Sequence, residues 1–492
     1  MITHPVRAKL GIALALLVIA LCLFGDLAAV RRDLVLGPIS AKLLVTLRDP
    51  GTQWMVFVCA GIYFLGFAVF RKRNASLGGG YWSLGLLGAA ALAYVLSYSE
   101  AVKSTQALTL IGGAAVGQGA AVWEGRRKNQ ACKSRGGATI LALIILLALA
   151  AVWQGETGHL VQYRGQGRWC GPWDNPNTFG ILMAVGVVLA VGRLVQSRVN
   201  AECGVRNAEL PNAQGSTQSA ECGGKHPAPN IQHPTSTRGL WARRVLLLAA
   251  AGVMGVGLVK SYSRGAWVGT AVGLLWLGIN HEIHQRHENP LLGRARLVSC
   301  RSCVSWATLL VVSLCVVGFW SFGHTELAVA RRAYSVANAN DFSWRNRMAA
   351  WEGGLQMMAE KPWFGFGWNE PERIYSAFYC PAKVDEGMAF QLNDYFMLGA
   401  TLGLPALLCF AVYILLALSG RQKTGLPAPP TLDFRLWTLD SAAVCRAGAA
   451  VLLVGFWFDG GLFELATAAT FWVLLELGRA GDHEMHETHE NE

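Results

Sequence analysis

Arginines at predicted membrane boundaries are the residues in this sequence whose chemistry stands out first. Arg264 lies in a short turn between two apolar stretches, and Arg345 and Arg347 open a stretch with helical periodicity. A guanidinium presents a planar fork of donors that matches phosphate oxygens, so several together can neutralise a diphosphate. The alternative for each arginine taken singly is an interfacial anchor whose charged group reaches water.

A second set of candidate residues surrounds the start of a predicted helix. Arg168, Trp173 and Asn177 lie close together in sequence, next to Asp174 and Asn175. Aromatic rings stack on sugars, and amide and charged groups bind hydroxyls, so this composition suits glycan recognition. A capped helix start explains Asp174 and Asn175 equally well.

The elements that position these residues are predicted to be membrane spans. The chain has 492 residues, of which 53% are hydrophobic and 15% are charged, and its mean hydropathy is +0.35. This composition is too apolar for a soluble protein, and it excludes disorder and a disulfide-dense secreted scaffold. Because a bilayer core of about 30 Å needs close to 20 apolar residues per helix, the sequence predicts an all-α polytopic membrane protein with about 12 transmembrane helices. The predicted spans are 10–25, 54–70, 81–98, 105–123, 138–154, 176–194, 243–259, 266–280, 303–322, 392–418, 443–458 and 461–478.

Basic residues orient these spans. Most Lys and Arg residues fall in connections that share one side when the N-terminus is cytoplasmic, as the positive-inside rule requires, and only the first outside loop is an exception. Both termini are then cytoplasmic, and the net charge of +11 reflects topology and does not point to nucleic acid. We interpret 1–492 as a single integral membrane domain, with a flexible cytoplasmic insertion at 195–242 and a cytoplasmic tail at 481–492.

The longest predicted outside loop, 323–391, joins the ninth and tenth helices. It is rich in Trp, Phe and Tyr, which favours an ordered, functional periplasmic loop over a linker. Within it, the stretch 343–360 places Met348, Trp351 and Leu355 at helical spacing, which predicts an amphipathic helix on the membrane surface or against the bundle. The default interpretation of a Trp on such a helix is packing or interfacial anchoring.

Several short motifs in these segments together resemble the O-antigen ligase and O-antigen polymerase superfamily. Their order, spacing and shared outside placement carry the resemblance, which covers the chain from about 165 to 410. The motifs are Gly171–Phe179 (GPWDNPNTF), Tyr262–Trp267 (YSRGAW), Arg347 with Trp351, Lys361–Gly367 (KPWFGFG), Asn393–Tyr395 (NDY) and Leu402–Pro405 (LGLP).

The resemblance implies a membrane glycosyltransferase of the bacterial inner membrane that works in lipopolysaccharide or other envelope polysaccharide synthesis. Such an enzyme moves a glycan from a polyprenyl diphosphate carrier, such as undecaprenyl diphosphate, to a glycan, lipid or protein acceptor at the periplasmic face. It would need no cofactor. We also expect independence from divalent metals, because no outside cluster of acidic residues has ligand-like spacing.

Individual residues also take on roles from the resemblance. Arg264 and Arg347, with Arg345 nearby, would bind the carrier diphosphate. Negative charge accumulates on this leaving group as the glycosidic bond breaks, and preorganised cations stabilise that charge. The residues expected to contact the glycan or the acceptor are Arg168, Trp173, Asn177 and Trp351.

One position departs from the family pattern. Relatives have a His immediately before the Asn that corresponds to Asn393, whereas this chain has Leu392, which cannot accept a proton. Asp394 is the candidate replacement base, and Gln391 is the candidate for orienting the acceptor hydroxyl. The alternative for Asp394 is an N-cap of the tenth helix. The missing His leaves open a ligase, a polymerase, or a relative with another acceptor.

Two cysteines fall in outside loops that the family resemblance brings together. Cys170 and Cys380 are therefore candidates for a disulfide in an oxidising periplasm. The pairing rests on the resemblance and not on spacing.

Two other functions compete with glycosyl transfer. One is a transporter or flippase for an anionic or lipid-linked substrate, and the other is a noncatalytic partner in envelope polysaccharide assembly. A transporter should have ionisable residues near mid-membrane, whereas the predicted spans are nearly without charges and the unusual residues lie at their outside ends. This distribution favours a reaction at the membrane surface.

Overall fold

A computed structural model describes the chain in several segments. They are residues 136–163, 166–173, 175–209, 237–288, 342–368, 371–381, 393–419 and 441–480, together with scattered positions between 106 and 117. The predicted spans at 10–25, 54–70, 81–98 and 303–322 lie outside the described residues, as do Gln391 and the tail at 481–492.

The described part of the chain is mostly helical. Its helices are α1 Gly136–Thr157, α2 Pro176–Glu209, α3 Thr237–Lys260, α4 Arg264–Glu288, α5 Phe342–Glu360, α6 Pro371–Ile374, α7 Asp394–Leu402, α8 Leu404–Leu418, α9 Ser441–Phe458 and α10 Leu465–Ala480. A π-helical turn, Tyr375–Tyr379, follows α6.

A small antiparallel hairpin departs from the all-α expectation. Its strands are β1 Leu160–Tyr163 and β2 Gln166–Trp169, and Leu160 pairs with Trp169. A 3-10 turn, Gly171–Trp173, connects the hairpin to α2. Helix α2 itself continues to Glu209, into the segment that the sequence predicts as a flexible insertion.

Helices suited to a membrane are present, as the sequence predicts. Those long and apolar enough to cross a bilayer in the described segments are Thr139–Thr157, Pro176–Gln196, Trp241–Lys260 and Ser441–Phe458. Helix α3 exposes Trp241, Leu248 and Val256 along one side, an apolar surface that water would not solvate. These features confirm a helical membrane protein, while the total of twelve spans stays a prediction.

Helices α2 and α9 form the centre of the bundle. Within their membrane-spanning windows 78% and 72% of the residues are buried, against 22% for α3, which therefore lies at the periphery. Helix α2 packs against α3, α4 and α9, and α9 also packs against α4 and α10. Large aromatic side chains fill the contact between α8, α9 and α10: Phe410, Phe456, Phe471 and Trp472.

The ends of several helices meet on one side of the bundle, which we call the rim. Here α2, α4 and α10 begin, and α3 and α9 end. Two glycines permit the close approach of these helix ends. A Cβ added at Gly180 of α2 would overlap Ser261 in the α3–α4 turn, and one added at Gly265 of α4 would overlap the Asp459 carboxylate that follows α9.

Helix α5 and the segment after it lie across this rim. Trp351 of α5 packs on Trp457 at the end of α9, with ring centroids 5.4 Å apart. The following segment pairs with the end of α7 through its backbone, since Phe366 N donates to Ala400 O at 2.8 Å. The amphipathic helix predicted at 343–360 is therefore α5, and it packs against the bundle.

Candidate functional site

Arg347 is the central cation of the rim. It is 8% exposed, and its Nε donates to Phe458 O at 2.7 Å. Its Nη2 donates to Asp459 Oδ1 at 2.5 Å, which forms a buried ion pair. Arg347 and Trp351 are four residues apart on α5, so both side chains meet the end of α9 from one helix face.

The same carboxylate also holds the turn between α3 and α4. Ser263 Oγ donates to Asp459 Oδ2 at 3.0 Å, and Ser263 N donates to Ser261 Oγ at 3.2 Å. Tyr262, between the two serines, has a φ of 51°, a left-handed conformation that is costly for a residue with a Cβ. The surrounding contacts therefore hold this turn in one conformation.

Arg168 reaches the other side of that turn from strand β2. It is buried, its Nε donates to Ser261 O at 2.8 Å, and its Nη2 donates to Asn177 Oδ1 at 2.7 Å. A continuous series of hydrogen bonds therefore runs from α2 to α5. We call its members the rim cluster: Arg168, Asn177, Ser261, Ser263, Arg347 and Asp459.

Arg264 and Arg345 differ in how they relate to this cluster. Arg264 is half-buried and directly follows Ser263, so it lies at the N-terminus of α4 beside the cluster. Arg345 is exposed on α5 and lies about 200° around the helix from Arg347. Of the three arginines predicted to bind a diphosphate, Arg347 is thus a member of the rim cluster, Arg264 directly follows another member, and Arg345 lies apart from both.

The predicted glycan-binding tryptophans take part in aromatic packing. Trp173 lies 6.1 Å from Phe179, centroid to centroid. Trp351 contacts Trp457 and two further rings, Trp344 at 5.6 Å and Phe396 at 6.3 Å. Packing accounts for both positions, and their contact with a glycan stays a prediction.

The Asn393–Asp394 pair anchors α7 to the end of α9. Asn393 is the N-cap, because its Oδ1 accepts from Tyr395 N and Phe396 N at 3.1 Å each. Asp394 is therefore not the cap. It is 2% exposed, and its Oδ2 accepts from Leu462 N at 2.7 Å, so it stabilises the turn after α9. Its role as a base stays a prediction.

The turn Asp459–Glu464, which joins α9 to α10, is the element that sequence reasoning missed. Besides Asp459 it contains Glu464, whose carboxylate accepts from Thr178 Oγ1 and from Asn175 Nδ2, the latter at 3.3 Å. In the sequence this turn is a short Asp-Gly-Gly connection between two apolar spans. The two glycines signal a turn, but only the tertiary contacts identify its partners.

Buried charges also occur at the opposite end of the bundle. Glu476 of α10 pairs with Arg479 at 2.8 Å, and Arg446 of α9 donates to Gly478 O at 2.9 Å. These groups pair near helix ends and not at mid-membrane.

Cysteines and metal ligands form no further centre in the described segments. Cys170 and Cys380 are reduced thiols in the structure, and Cys170 Sγ lies 3.2 Å from His159 Nδ1. The disulfide between them stays a prediction. The described residues contain no group of three or more His, Cys, Asp or Glu side chains that could hold a metal ion.

Comparison with known protein families finds a match in the middle of the chain. Residues 249–411 match the family described as O-antigen ligase. The middle of the chain is therefore similar to an O-antigen ligase domain. This domain runs from α3 to α8 and includes Arg264 and Arg347, so the resemblance predicted from the sequence motifs is confirmed. No curated protein matches the chain.

Two parts of the rim cluster lie outside the matched O-antigen ligase domain. Arg168 and Asn177 precede it, and Asp459 follows it. The cluster is therefore assembled from the domain and from segments on both sides of it. It holds two guanidinium groups, those of Arg168 and Arg347, at one end of a helical bundle, in orientations fixed by carbonyl, amide and carboxylate acceptors.

Proposed function

We propose that this protein is an O-antigen ligase-like glycosyltransferase that moves a glycan from a polyprenyl diphosphate carrier to an acceptor at the periplasmic face of the bacterial inner membrane. The observation that carries the proposal is the joining of Arg168 and Arg347 in one hydrogen-bonded cluster at one end of a bundle of apolar helices, with Arg264 next to the cluster at the start of α4. The O-antigen ligase match supports the same class of reaction.

Preorganisation of the arginines supports diphosphate binding. Asp459 and the Phe458 carbonyl fix the guanidinium plane of Arg347, while Ser261 O and Asn177 fix that of Arg168. Cations that are already oriented stabilise developing charge without reorganising during the reaction. Arg264 adds a cation at the start of α4, where the helix dipole also favours an anion.

The location of the cluster suits a lipid-linked donor. A polyprenyl chain stays in the bilayer, so its diphosphate lies at the membrane boundary, level with the ends of the apolar helices. Helix α3 exposes apolar residues along its length and ends at the turn that Arg168 and Asp459 hold through Ser261 and Ser263. A lipid chain beside α3 would therefore place its head group near the rim cluster.

Charge stabilisation is the main catalytic requirement of this step. The bond between the anomeric carbon and the diphosphate oxygen breaks, and its electron pair leaves with the diphosphate. Arg264 and Arg347 would stabilise that charge, and no general acid is needed for so good a leaving group. The acceptor oxygen forms the new bond to the anomeric carbon, and its hydroxyl proton passes to a base.

Two measurements test this function. Purified protein in detergent is titrated with radiolabelled undecaprenyl diphosphate, and Arg264→Ala and Arg347→Ala are each expected to weaken binding at least about tenfold. In a second assay, membranes from the source bacterium with its chromosomal gene deleted and each variant supplied on a plasmid are assayed for release of undecaprenyl diphosphate from the glycan-loaded carrier. Both variants are expected to reduce that release, with or without EDTA.

Arg243→Ala is the matched control, because Arg243 is an exposed arginine near the opposite end of α3. It should bind undecaprenyl diphosphate like the unmodified protein. Full binding and full release in both the Arg264 and Arg347 variants would contradict the proposed site. Loss of release on chelation alone would contradict metal independence.

A further inference from the structure

Glu464 is a carboxylate at the rim that the proposed diphosphate contacts leave without a role. It is the last residue of the turn between α9 and α10, and the residue is exposed. Its carboxylate accepts from Thr178 and Asn175 at the start of α2. The neighbouring residue Asn177 binds Arg168, so Glu464 lies beside the rim cluster.

Three acidic residues interact electrostatically around this turn in the described part of the chain: Asp394, Asp459 and Glu464. Asp459 is buried and holds Arg347 and Ser263 with its two oxygens. Asp394 is buried and accepts from the backbone of Leu462. Glu464 differs from both because the residue is exposed, as is its hydrogen bond from Asn175, so it lies on the side from which an acceptor in water would arrive.

We propose that Glu464 is the base that takes the proton of the acceptor hydroxyl, and that Asn175 and Thr178 form the floor of the acceptor site. This inference rests on the proposed glycosyl transfer. It assigns a carboxylate to the task for which Leu392 is unsuited. The acceptor is then an alcohol, such as a sugar hydroxyl, that approaches from the water side of the rim.

The step balances as a simple substitution. The acceptor O–H bond breaks and its proton moves to a Glu464 carboxylate oxygen. The acceptor oxygen bonds to the anomeric carbon, while the bond from that carbon to the diphosphate breaks and its electron pair leaves with the diphosphate. Glu464 then releases the proton to water, which restores the carboxylate.

Electrostatics around Glu464 suit a base. The protein atoms around the carboxylate partly desolvate it, which raises the pKa of Glu464 above its ordinary value. The hydrogen bonds from Thr178 and Asn175 lower that pKa, and the charge of Asp459 raises it. The other charged neighbour is Asp394 at the start of α7. A raised pKa makes the carboxylate a stronger proton acceptor, provided that the pH stays above that pKa.

Glu464→Gln is the direct test, in membranes of the deletion strain that carries each variant. Release of undecaprenyl diphosphate should fall about 100-fold, the usual contribution of a positioned base, while binding of radiolabelled undecaprenyl diphosphate to the purified variant stays unchanged. Glu464→Asp should retain an intermediate rate. The control Glu360→Gln makes the same change at an exposed carboxylate at the end of α5 and should keep both the release and the binding.

A pH profile separates a base from a structural carboxylate. Release should decline on acidification as Glu464 becomes protonated. Thr178→Val removes a hydrogen bond that lowers the pKa of Glu464, so the decline in release should begin at a higher pH in that variant. Thr178→Ser keeps a hydroxyl donor and should leave the pH of the decline unchanged.

The inference is overturned if Glu464→Gln releases undecaprenyl diphosphate at the normal rate, or if Thr178→Val leaves the acid decline unmoved. A large loss in Asp394→Asn together with normal release in Glu464→Gln would assign the base to Asp394. Absence of release in the unmodified protein would instead contradict the proposed function itself, so the two failures are distinguishable.

Discussion

Ser263 and Arg347 share the two oxygens of a single carboxylate. Ser263 Oγ binds Asp459 Oδ2 at 3.0 Å, and Arg347 Nη2 binds Asp459 Oδ1 at 2.5 Å. The turn before α4 and the helix α5 are far apart in sequence, yet one side chain after α9 fixes both. Arg264, which follows Ser263, therefore keeps a defined position relative to Arg347.

Asp459→Asn should damage both stability and activity. The change removes the charge that compensates a buried guanidinium, and breaking a buried ion pair in this way costs about 3 kcal/mol. We expect a lower Tm in detergent and a reduced release of undecaprenyl diphosphate. Glu360→Gln, which changes an exposed carboxylate that accepts from Tyr379, should leave the Tm almost unchanged. Equal Tm values for the two variants would contradict the buried pair.

Gly265→Ala should move Asp459 without altering any polar group. The added methyl group would overlap the Asp459 carboxylate, and relief of such a clash typically costs about 1–3 kcal/mol. The variant should therefore have a lower Tm and bind undecaprenyl diphosphate more weakly. Gly252→Ala in α3 is the matched control, since a methyl group there meets nothing within 4 Å. An unchanged Tm and unchanged binding in Gly265→Ala would show that the close packing at Gly265 is not required.

Arg168→Lys tests whether the geometry of the guanidinium matters beyond its charge. A lysine ammonium lacks the planar fork with which Arg168 binds Ser261 O and Asn177 Oδ1 together. We expect release of undecaprenyl diphosphate to fall about tenfold or more. Arg373→Lys, at an exposed arginine of α6, should retain the normal rate. Similar rates in both variants would indicate that positive charge alone suffices at position 168.

Trp351→Ala should loosen α5 from the end of α9. The ring packs on Trp344, Phe396 and Trp457, and truncation of an aromatic side chain of this kind costs about 3 kcal/mol. The expected result is a clear decrease in Tm, which Trp351→Phe should partly restore. Trp363→Ala should change the Tm little, because that ring is 72% exposed. A reversed order of the two Tm values would contradict the packing role.

The sequence predicted much of the rim because short motifs carry local information. Arg264 lies in a turn between two apolar stretches, and Arg347 lies on a periodic helix, so both positions follow from hydropathy and spacing. Family resemblance then placed them in one site, and the structure brings them together through Ser263 and Asp459.

The partners of these arginines could not be predicted in the same way. Arg347 and Asp459 are separated by 112 positions, and no local pattern distinguishes an aspartate that ends a helix from one that binds a distant arginine. Asp394 illustrates the same limit. Its place at the start of a helix suggested a cap, but the orientation of the side chain depends on the backbone of Leu462.

The Arg347–Asp459 pair also shows that the matched region is not structurally independent of the rest of the chain. The O-antigen ligase match ends at residue 411, well before Asp459. A protein cut at that boundary would retain Arg347 but lose the carboxylate that neutralises it, along with the Leu462 contact of Asp394. The matched region therefore depends on the segment after it. Removal of that segment would leave the buried guanidinium of Arg347 without its counter-charge.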